Sequence, residues 1–459
     1  MFEVYIHVPF CLRRCGYCDF NTYTAVDLGA GASRGNYVNM VIREMELVRE
    51  WQEAHGIDEP SADTVFFGGG TPTILSADDL VAMLDAVRRI WGLEPDAEIT
   101  TEANPDTVNE YYINRLAEGG FTRVSFGMQS AVPHVLKTLD RTHTPANVEA
   151  GVRAADAAGL RSSVDLIYGA PGESLDDWRT SVETAIGLGV NHISAYALTV
   201  EPTTKMGRQI AAGTLPKPDD DDEAAKYEIA DELFAKAGLT WYEVSNWARP
   251  GYESRHNLGY WRNVDWAGLG PGAHSHYNAC ADAGARPPLT KGRSAKLTEG
   301  EMESSMAQPI VEQSVGMNAL RAWDIAHPRM WATAINEGRV PWGGSEEITP
   351  DENLEELIML GLRIREGLDL DRINRAIASA AGDDSDDATS PAGYASSAGT
   401  SCLKPIDPTQ LMPMIDEGLI TLIQDSHDAG NAGVRVVPTR KGRLLNDAVI
   451  ERFFDLAGV

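Results

Sequence analysis

The sequence has few cysteines, a shortage of positive charge and no long apolar run. Five cysteines in 459 residues are too sparse for a disulfide scaffold and are typical of a reducing compartment. No window approaches the roughly 18 uninterrupted apolar residues that a membrane-spanning helix needs. The 39 Lys and Arg against 68 Asp and Glu give a formal charge of −29, whereas nucleic-acid binding requires a basic surface. We therefore expect a cytoplasmic protein with no targeting segment, no membrane span and no nucleic-acid partner.

Three of the five cysteines stand together after the first apolar segment, where Cys11, Cys15 and Cys18 form a C-x3-C-x2-C pattern. Thiolates are preferred ligands of iron–sulfur clusters, copper(I) and zinc. Three thiolates on one loop would bind three irons of a four-iron cluster and leave the fourth iron open. The alternative is a structural zinc site in a barrel with a binding role, which would want a fourth ligand from a second Cys or His pair. Because Cys280 and Cys402 are isolated, the cluster is the favoured interpretation.

Strand-like and helix-like segments alternate in the N-terminal part of the chain. Apolar, β-branched or aromatic runs occur at 3–9, 64–68, 97–101, 122–127, 161–168 and 192–198. Amphipathic stretches lie between them, at roughly 36–54, 77–91, 108–118, 145–158 and 174–188. This alternation is typical of βαβ units and a parallel sheet, and the short strands fit a barrel or a partial barrel.

Unusual residues follow the predicted strands at their C-terminal ends, where barrel folds collect their functional groups. The first strand leads into the cysteine loop, the second into Gly-Gly-Gly-Thr-Pro at 68–72, and the third into Glu102. The fourth strand ends near Gln129, and Asp165 lies on the fifth. Glycines let the backbone approach a ligand closely, and Glu102 could accept hydrogen bonds from ribose hydroxyls. Each feature alone would also fit an ordinary turn or a solvated acid, but their convergence on one edge predicts a binding site.

The cysteine loop, the glycine segment, Glu102 and a later Asp-x-x-x-Gly-x-Pro segment resemble the radical S-adenosylmethionine superfamily. Within it they resemble the oxygen-independent coproporphyrinogen III oxidase family, over about 3–280 and more loosely to about 375 and after 403. The resemblance implies an α/β fold, a partial (β/α)6 barrel, with a [4Fe-4S] cluster on Cys11, Cys15 and Cys18. The positions implied to hold S-adenosylmethionine are Tyr5, Gly69, Gly70, Thr71 and Glu102, and those implied to face a further ligand are Gln129, Arg141 and Asp165.

One departure from that family indicates a particular branch. The oxidases carry another cysteine two places after the third ligand, where this sequence has Phe20. The run Tyr17–Phe20 and an H-N-x-x-Y-W pattern instead resemble the HemW branch, whose members are haem chaperones. The pattern is formed here by His256, Asn257, Tyr260 and Trp261.

The branch resemblance implies haem as a third cofactor and haem-recipient proteins, respiratory ones among them, as partners. An imidazole can ligate haem iron and aromatic rings can lie against a porphyrin, but the pattern does not establish His256 as the ligand. His274 and His276, on a predicted glycine-rich loop, are alternatives, and aromatic packing beneath the barrel mouth would also explain the motif. The competing function is coproporphyrinogen III oxidation by hydrogen abstraction from propionate side chains. Cleavage of S-adenosylmethionine and a homodimeric state are left open.

The C-terminal third reads as a different domain. Residues 351–366 predict an amphipathic helix, and 408–424 and 434–457 predict a helix, a β-rich pair and a last helix. These elements resemble the small, mainly helical, winged-helix-like domain that closes the oxidase family. The expected boundaries are 1–280 for the barrel and its closing segment, 281–350 for a connecting region and 351–459 for the C-terminal domain. Within the last, the acidic, small-residue segment 382–401 predicts a disordered insertion.

Overall fold

The computed structural model describes residues 1–278, 319–383, 403–424 and 433–459, with side chains omitted at 379–383. Cys280, Cys402 and almost all of the predicted insertion lie outside these residues. The described chain divides into two compact units. The first comprises 1–240, 245–256 and 264–347, and the second 241–244, 257–263 and 348–459.

The first unit is built on six parallel strands separated by helices. The strands are β1 Phe2–Val8, β2 Ala62–Gly69, β3 Leu93–Ala103, β4 Arg123–Gln129, β5 Arg161–Tyr168 and β6 His192–Ala197. The helices are α1 Tyr37–Ala54, α2 Ala77–Ile90, α3 Glu110–Gly119, α4 Pro133–Thr138, α5 Pro145–Ala157, α6 Leu175–Gly187, α7 Lys205–Ala211 and α8 Asp220–Lys236. The predicted α/β fold with consecutive parallel strands is confirmed.

Local sequence signals account for the helix starts. Capping boxes, in which the cap and the third helical residue exchange hydrogen bonds, begin α2 at Ser76, α5 at Thr144 and α6 at Ser174. Along β1 every residue except Tyr5 is buried, because this strand lies between two neighbours of the sheet and contributes to the core on both faces.

The remaining strands of the first unit extend the sheet on either side. They are β8 Asn246–Ala248, β9 Asp265–Leu269, β10 His274–Tyr277, β11 Ala319–Asp324 and β12 Trp342–Ile348, with helix α10 Pro328–Asn336 between the last two. Among these strands of the first unit, the hydrogen-bonded order is β12-β11-β10-β9-β1-β2-β3-β4-β5-β6-β8. Strand β9 pairs in parallel with β1, and β10 returns antiparallel to β9.

The glycine-rich loop predicted at 268–276 is confirmed only as a short turn at 270–273, because the two ends of the segment belong to strands β9 and β10. A side chain on Gly268 would collide with the backbone carbonyl of His274. The glycine is thus required by the close approach of two strands rather than by a flexible loop. His274 and His276 accordingly lie on a strand.

The second unit combines helices with a small antiparallel sheet. Its helices are α11 Pro350–Gly361, α12 Leu370–Asp383, α13 Met412–Asp416, α14 Arg440–Leu444 and α15 Asn446–Ala457, and its strands are β7 Thr240–Glu243, β13 Leu368–Asp369, β14 Ile420–Gln424 and β15 Val434–Pro438. Strands β13, β15 and β14 pair in that order around a core that includes Leu354, Ile358 and Phe453. Helix α11 ends five residues before the predicted 366, because the chain turns at Gly367, with φ +78°, into β13.

Helix α9, Arg255–Trp261, contains the H-N-x-x-Y-W pattern, and the boundary between the units falls within it, after His256. In the described part of the chain, no helix has both the length and the apolar content that a membrane crossing requires.

Candidate functional site

The cysteine loop begins where β1 ends and is closed at its base by backbone pairing. The Cys11 amide donates to the carbonyl of Tyr23 at 3.0 Å, and the Tyr23 amide donates to the carbonyl of Pro9 at 2.7 Å. Cys11 is buried, while Cys15 and Cys18 are half-buried, and all three are free thiols. The loop therefore holds three available sulfur ligands at the C-terminal end of a core strand.

Two hydrogen-bond donors from other elements face the sulfurs. The Thr71 hydroxyl donates to Cys11 Sγ at 3.6 Å, and Arg141 Nη1 donates to Cys15 Sγ at 3.5 Å. Burial raises the pKa of Cys11 and raises that of Cys18 to about 11. A donor or a cation beside a sulfur favours its negative form, so the surroundings fit metal-bound thiolates.

The thiol chemistry, the open loop and these donors fit an iron–sulfur cluster held by Cys11, Cys15 and Cys18. A single metal ion such as zinc is a different case. Among the residues that the structure describes, no three His, Cys, Asp or Glu side chains are grouped so that they could hold one such ion.

The glycine segment after β2 lies directly against the start of the cysteine loop. The Gly70 amide donates to the carbonyl of Val8, and the Thr71 amide to that of Phe10, both at 2.8 Å. A side chain on Gly70 would come within 2.6 Å of the Phe10 carbonyl oxygen. Gly69 has φ +106°, and a side chain there would meet the ring of His7 at 2.6 Å. Only glycine allows this approach, which joins the two segments into one edge.

Glu102 is brought to the same edge by β3. Its Oε2 accepts a hydrogen bond from the Gly69 amide at 3.2 Å. Burial, with the neighbouring charge of Asp165, raises the pKa of Glu102 to about 8. A carboxyl group with such a pKa changes its protonation state near neutral pH.

Tyr5 is oriented by a hydrogen-bonded histidine. The Asn21 carbonyl, 3.0 Å from His7 Nε2, can only accept, so that nitrogen carries the proton. His7 Nδ1 must then accept from the Tyr5 hydroxyl at 3.1 Å. Burial and the charge of Glu102 raise the pKa of Tyr5, so its hydroxyl stays protonated. Tyr5, Gly69 and Glu102 thus form one connected group.

Asp165 accepts hydrogen bonds from serines on the two neighbouring strands. Ser125 on β4 donates to both carboxylate oxygens, at 3.1 and 3.0 Å, and Ser194 on β6 donates at 2.7 Å. Ser163 donates to Ser125 at 2.7 Å and accepts from Arg123 at 3.0 Å. Sequence reasoning missed these serines and Arg123. Their positions within otherwise apolar, buried strands could have indicated that these polar residues have a partner in the site.

Arg141 connects the strand ends to the cysteine loop. Besides its contact with Cys15, its Nη2 donates to Asn104 Oδ1 at 2.5 Å and to the Gly127 carbonyl at 3.0 Å. Gln129 lies at the end of β4, where the register with β5 shifts, and has φ +62°. The structure therefore places Arg141 beside the sulfurs, a contact that the sequence did not reveal.

The imidazole of His256 lies inside the first unit and is only 1% exposed. Its Nδ1 is 2.6 Å from the Thr64 hydroxyl, and the ring stacks on Phe66 at 5.0 Å between centroids. Burial lowers its pKa to about 3, so the ring is neutral. In this conformation the ring contacts protein groups and does not present a surface to a planar ligand.

The other residues of the pattern belong to the second unit. Asn257, Tyr260 and Trp261 are half-buried there, and the Arg363 guanidinium lies 6.0 Å from the Trp261 ring centroid. Of the alternative histidines, His276 is buried and stacks on Trp266, whereas His274 is exposed.

Comparisons with known proteins agree with this architecture. Residues 5–185 match the model of the radical SAM superfamily, and residues 348–384 match that of the HemN C-terminal domain. A Mycobacterium tuberculosis protein named heme chaperone HemW is 42% identical over 376 residues, 82% of this chain and 85% of that protein. A Bacillus subtilis protein of the same name is 31% identical over 370 residues, 80% of this chain and 85% of that protein.

The solved structure of the Escherichia coli coproporphyrinogen III oxidase HemN, a radical SAM enzyme, covers 98% of this chain and 89% of its own, with a TM-score of 0.68 and 18% identity. At that identity the likeness shows the fold, including the C-terminal helical region. The two relatives, each at least 30% identical over four-fifths of this chain, together with the radical SAM match establish that the chain belongs to the HemW family of the radical SAM superfamily.

Proposed function

We propose that this protein is a haem chaperone, which binds a [4Fe-4S] cluster, S-adenosylmethionine and haem and passes haem to recipient proteins. The observation that carries the proposal is the 42% identity with a protein named heme chaperone HemW over 82% of this chain. Phe20 adds support, since it stands 59% exposed at the end of the cysteine loop where the related oxidases have a cysteine.

Cys11, Cys15 and Cys18 would hold the cluster, with Thr71 and Arg141 donating hydrogen bonds to two of the sulfurs. When bound, the cluster supplies redox-active iron with one coordination position free of protein ligands. Arg141 also keeps a positive charge beside the thiolates, which offsets part of their repulsion.

S-adenosylmethionine would bind along the edge formed by Tyr5, Gly69, Gly70, Thr71 and Glu102. The bare backbone of the glycine segment suits the amino-acid end of that ligand, and the Glu102 carboxyl group suits hydroxyl donors. Gln129 and Asp165, with Arg141, line the neighbouring strand ends and would face a further ligand. The contact between Gly69 and Glu102 supports treating these positions as one site.

Haem would be the cargo. We predict that the H-N-x-x-Y-W pattern, formed by His256, Asn257, Tyr260 and Trp261, contributes to haem binding. Because the imidazole of His256 is buried, we do not expect that ring to contact haem. We assign His256 a supporting position under Tyr5 and leave contact with haem to the other three residues. The recipients would be apo forms of haem proteins, respiratory ones among them. The three free thiols needed for the cluster suit a reducing, cytoplasmic setting.

A transfer experiment tests the chaperone function directly. The cluster-loaded protein, charged with one equivalent of haem, is mixed with an apo-cytochrome of the b type, and the two proteins are separated by size. We expect the Soret absorption to move to the cytochrome, faster than from a non-specific haem carrier such as albumin at equal concentration. Retention of haem by the donor, or transfer no faster than from albumin, would contradict the proposal.

A further inference from the structure

A cleft of about 380 Å³ opens beside the cysteine loop, on the first unit. One wall is Arg13 of the loop, and the others come from helix α4 and from the turn between α4 and α5. Its charged lining residues are Arg13, Lys137, Asp140 and Arg141, and its apolar ones are Pro133, Leu136 and Pro145. The cleft therefore combines an apolar wall with a polar rim in which cations outnumber the single carboxylate.

Two of the three cations of this rim, Arg13 and Lys137, remain accessible although one carboxylate lies among them. Asp140 accepts from Arg13 Nη2 at 3.2 Å and from Lys205 Nζ, outside the cleft, at 2.7 Å, yet the side chain of Arg13 stays 59% exposed. Lys137 is exposed, and in the described ranges no carboxylate lies within ion-pair distance of it. In a chain with a formal charge of −29, this local excess of positive charge favours an anionic ligand.

The cleft offers cations that can pair with the carboxylates of a ligand, but it offers no free histidine nitrogen for a metal. His143 lines it, but its Nε2 donates to the Met128 carbonyl at 2.8 Å and its Nδ1 accepts from Arg141 Nε at 3.4 Å. Both ring nitrogens are therefore engaged. A ligand of this cleft would be recognised through its acidic groups and its apolar body.

We propose that the cleft binds the propionate edge of haem, with Arg13 and Lys137 pairing with the two carboxylates and the apolar wall facing the macrocycle. This inference rests on the proposed function, in which haem is the cargo. Ligand pockets span roughly 300–1,000 Å³, so a cleft of about 380 Å³ has room for one edge of the molecule and not for the whole of it. Through Arg141, which also contacts Cys15, the same cleft adjoins the cluster loop.

The test compares haem with haem dimethyl ester, which keeps the iron and the macrocycle but lacks the two negative charges. Both are titrated by Soret absorption into the cluster-loaded full-length protein, its Lys137→Gln variant and an Arg13→Gln, Lys137→Gln double variant. We expect the double variant to bind haem roughly three- to thirtyfold more weakly, as for the loss of two partly exposed ion pairs. The ester should bind the wild-type protein about as weakly, and the substitutions should not weaken it further.

The matched control is Arg153→Gln, Arg179→Gln, which removes two exposed arginines from α5 and α6 outside the cleft and should leave haem affinity unchanged. Iron and sulfide content is measured for every variant to show whether the cysteine loop still holds its cluster. If the Arg13→Gln change lowers that content, the conclusion is drawn from the Lys137→Gln variant alone. Equal affinity of the wild type for haem and its ester, or unchanged haem affinity in Lys137→Gln and the double variant, would overturn the cleft while leaving haem binding intact. Absence of any haem binding by the wild type would instead refute the proposed function, and the cleft with it.

Discussion

The imidazole of His256 stacks on the phenol ring of Tyr5, with 6.5 Å between ring centroids and 26° between the planes. The Tyr5 hydroxyl in turn donates a hydrogen bond to His7 Nδ1, and the His7 ring packs against Gly69. A motif residue that sequence reasoning assigned to haem thus lies directly behind a residue assigned to S-adenosylmethionine. The contact gives His256 a positioning role that does not depend on iron ligation.

Replacing His256 tests this role. We expect His256→Ala to lower the free energy of unfolding by roughly 2–4 kcal/mol, since a buried ring is replaced by a cavity. It should also weaken S-adenosylmethionine binding while leaving the cluster in place, because Tyr5 loses its support. Urea unfolding, calorimetric titration with S-adenosylmethionine and iron analysis measure the three effects.

Trp261→Ala is the companion variant, because Trp261 belongs to the second unit. It should weaken haem binding and leave S-adenosylmethionine affinity unchanged. A His256→Ala variant with normal S-adenosylmethionine affinity would remove the positioning role. If Soret titrations show the same haem affinity in both variants as in the wild type, the motif does not take part in haem binding.

The cluster assignment predicts a sharp division among the five cysteines. Cys11→Ala, Cys15→Ala and Cys18→Ala should each abolish the iron–sulfur absorption, and anaerobically reconstituted wild type should hold about four irons and four sulfides per chain. Cys280→Ala and Cys402→Ala are the controls and should keep it. Stoichiometric zinc without iron–sulfur absorption after reconstitution would show that the loop is a zinc site instead.

Glu102 predicts a pH dependence of S-adenosylmethionine binding. With a pKa raised to about 8, the carboxyl group is mainly protonated at pH 7 and ionised at pH 9, and the ionised form is the stronger acceptor for hydroxyl donors. Affinity should therefore rise with pH through about 8. Glu102→Gln should bind roughly 10- to 100-fold more weakly at pH 9 and show no such rise.

Calorimetric titration at several pH values measures this effect, with the exposed Glu110→Gln as the control. Parallel pH profiles for wild type and Glu102→Gln would mean that another group controls binding.

A buried ion pair supports the loop that follows β5. Lys226 Nζ lies 3.1 Å from Glu173 Oε2, both side chains being almost fully buried, and Glu173 Oε2 also accepts from the Gly169 amide at 2.9 Å. Lys226→Met would leave the Glu173 carboxylate buried and unpaired, and should lower the free energy of unfolding by about 3–5 kcal/mol.

On the same helix, Lys236 forms an exposed pair with Glu232. Lys236→Met should therefore cost less than about 1 kcal/mol. Equal losses for the two variants in urea unfolding would show that burial does not distinguish the two pairs.

The parallel strands could be predicted because each is a short apolar run between amphipathic stretches, and the strand ends indicated Glu102, Asp165 and the glycine segment. The strand pair β9 and β10 could not be predicted in this way, because glycines in a sequence usually indicate a loop. Only the structure shows that Gly268 is needed for the close approach of the His274 backbone. Likewise, the burial of His256 depends on Thr64 and Phe66, which lie on a strand distant in sequence. The contact of Arg141 with Cys15 has the same origin, since residues far apart in the chain meet only in the folded sheet.

The central claim is that the protein carries haem rather than oxidising a porphyrinogen. The most direct measurement incubates the reconstituted protein, with reductant and S-adenosylmethionine, in parallel with haem and with coproporphyrinogen III. We predict a stable Soret band with haem and no conversion of coproporphyrinogen III to protoporphyrinogen IX, because Phe20 replaces the additional cysteine of the oxidases. Catalytic formation of protoporphyrinogen IX, or failure to bind haem, would contradict the account.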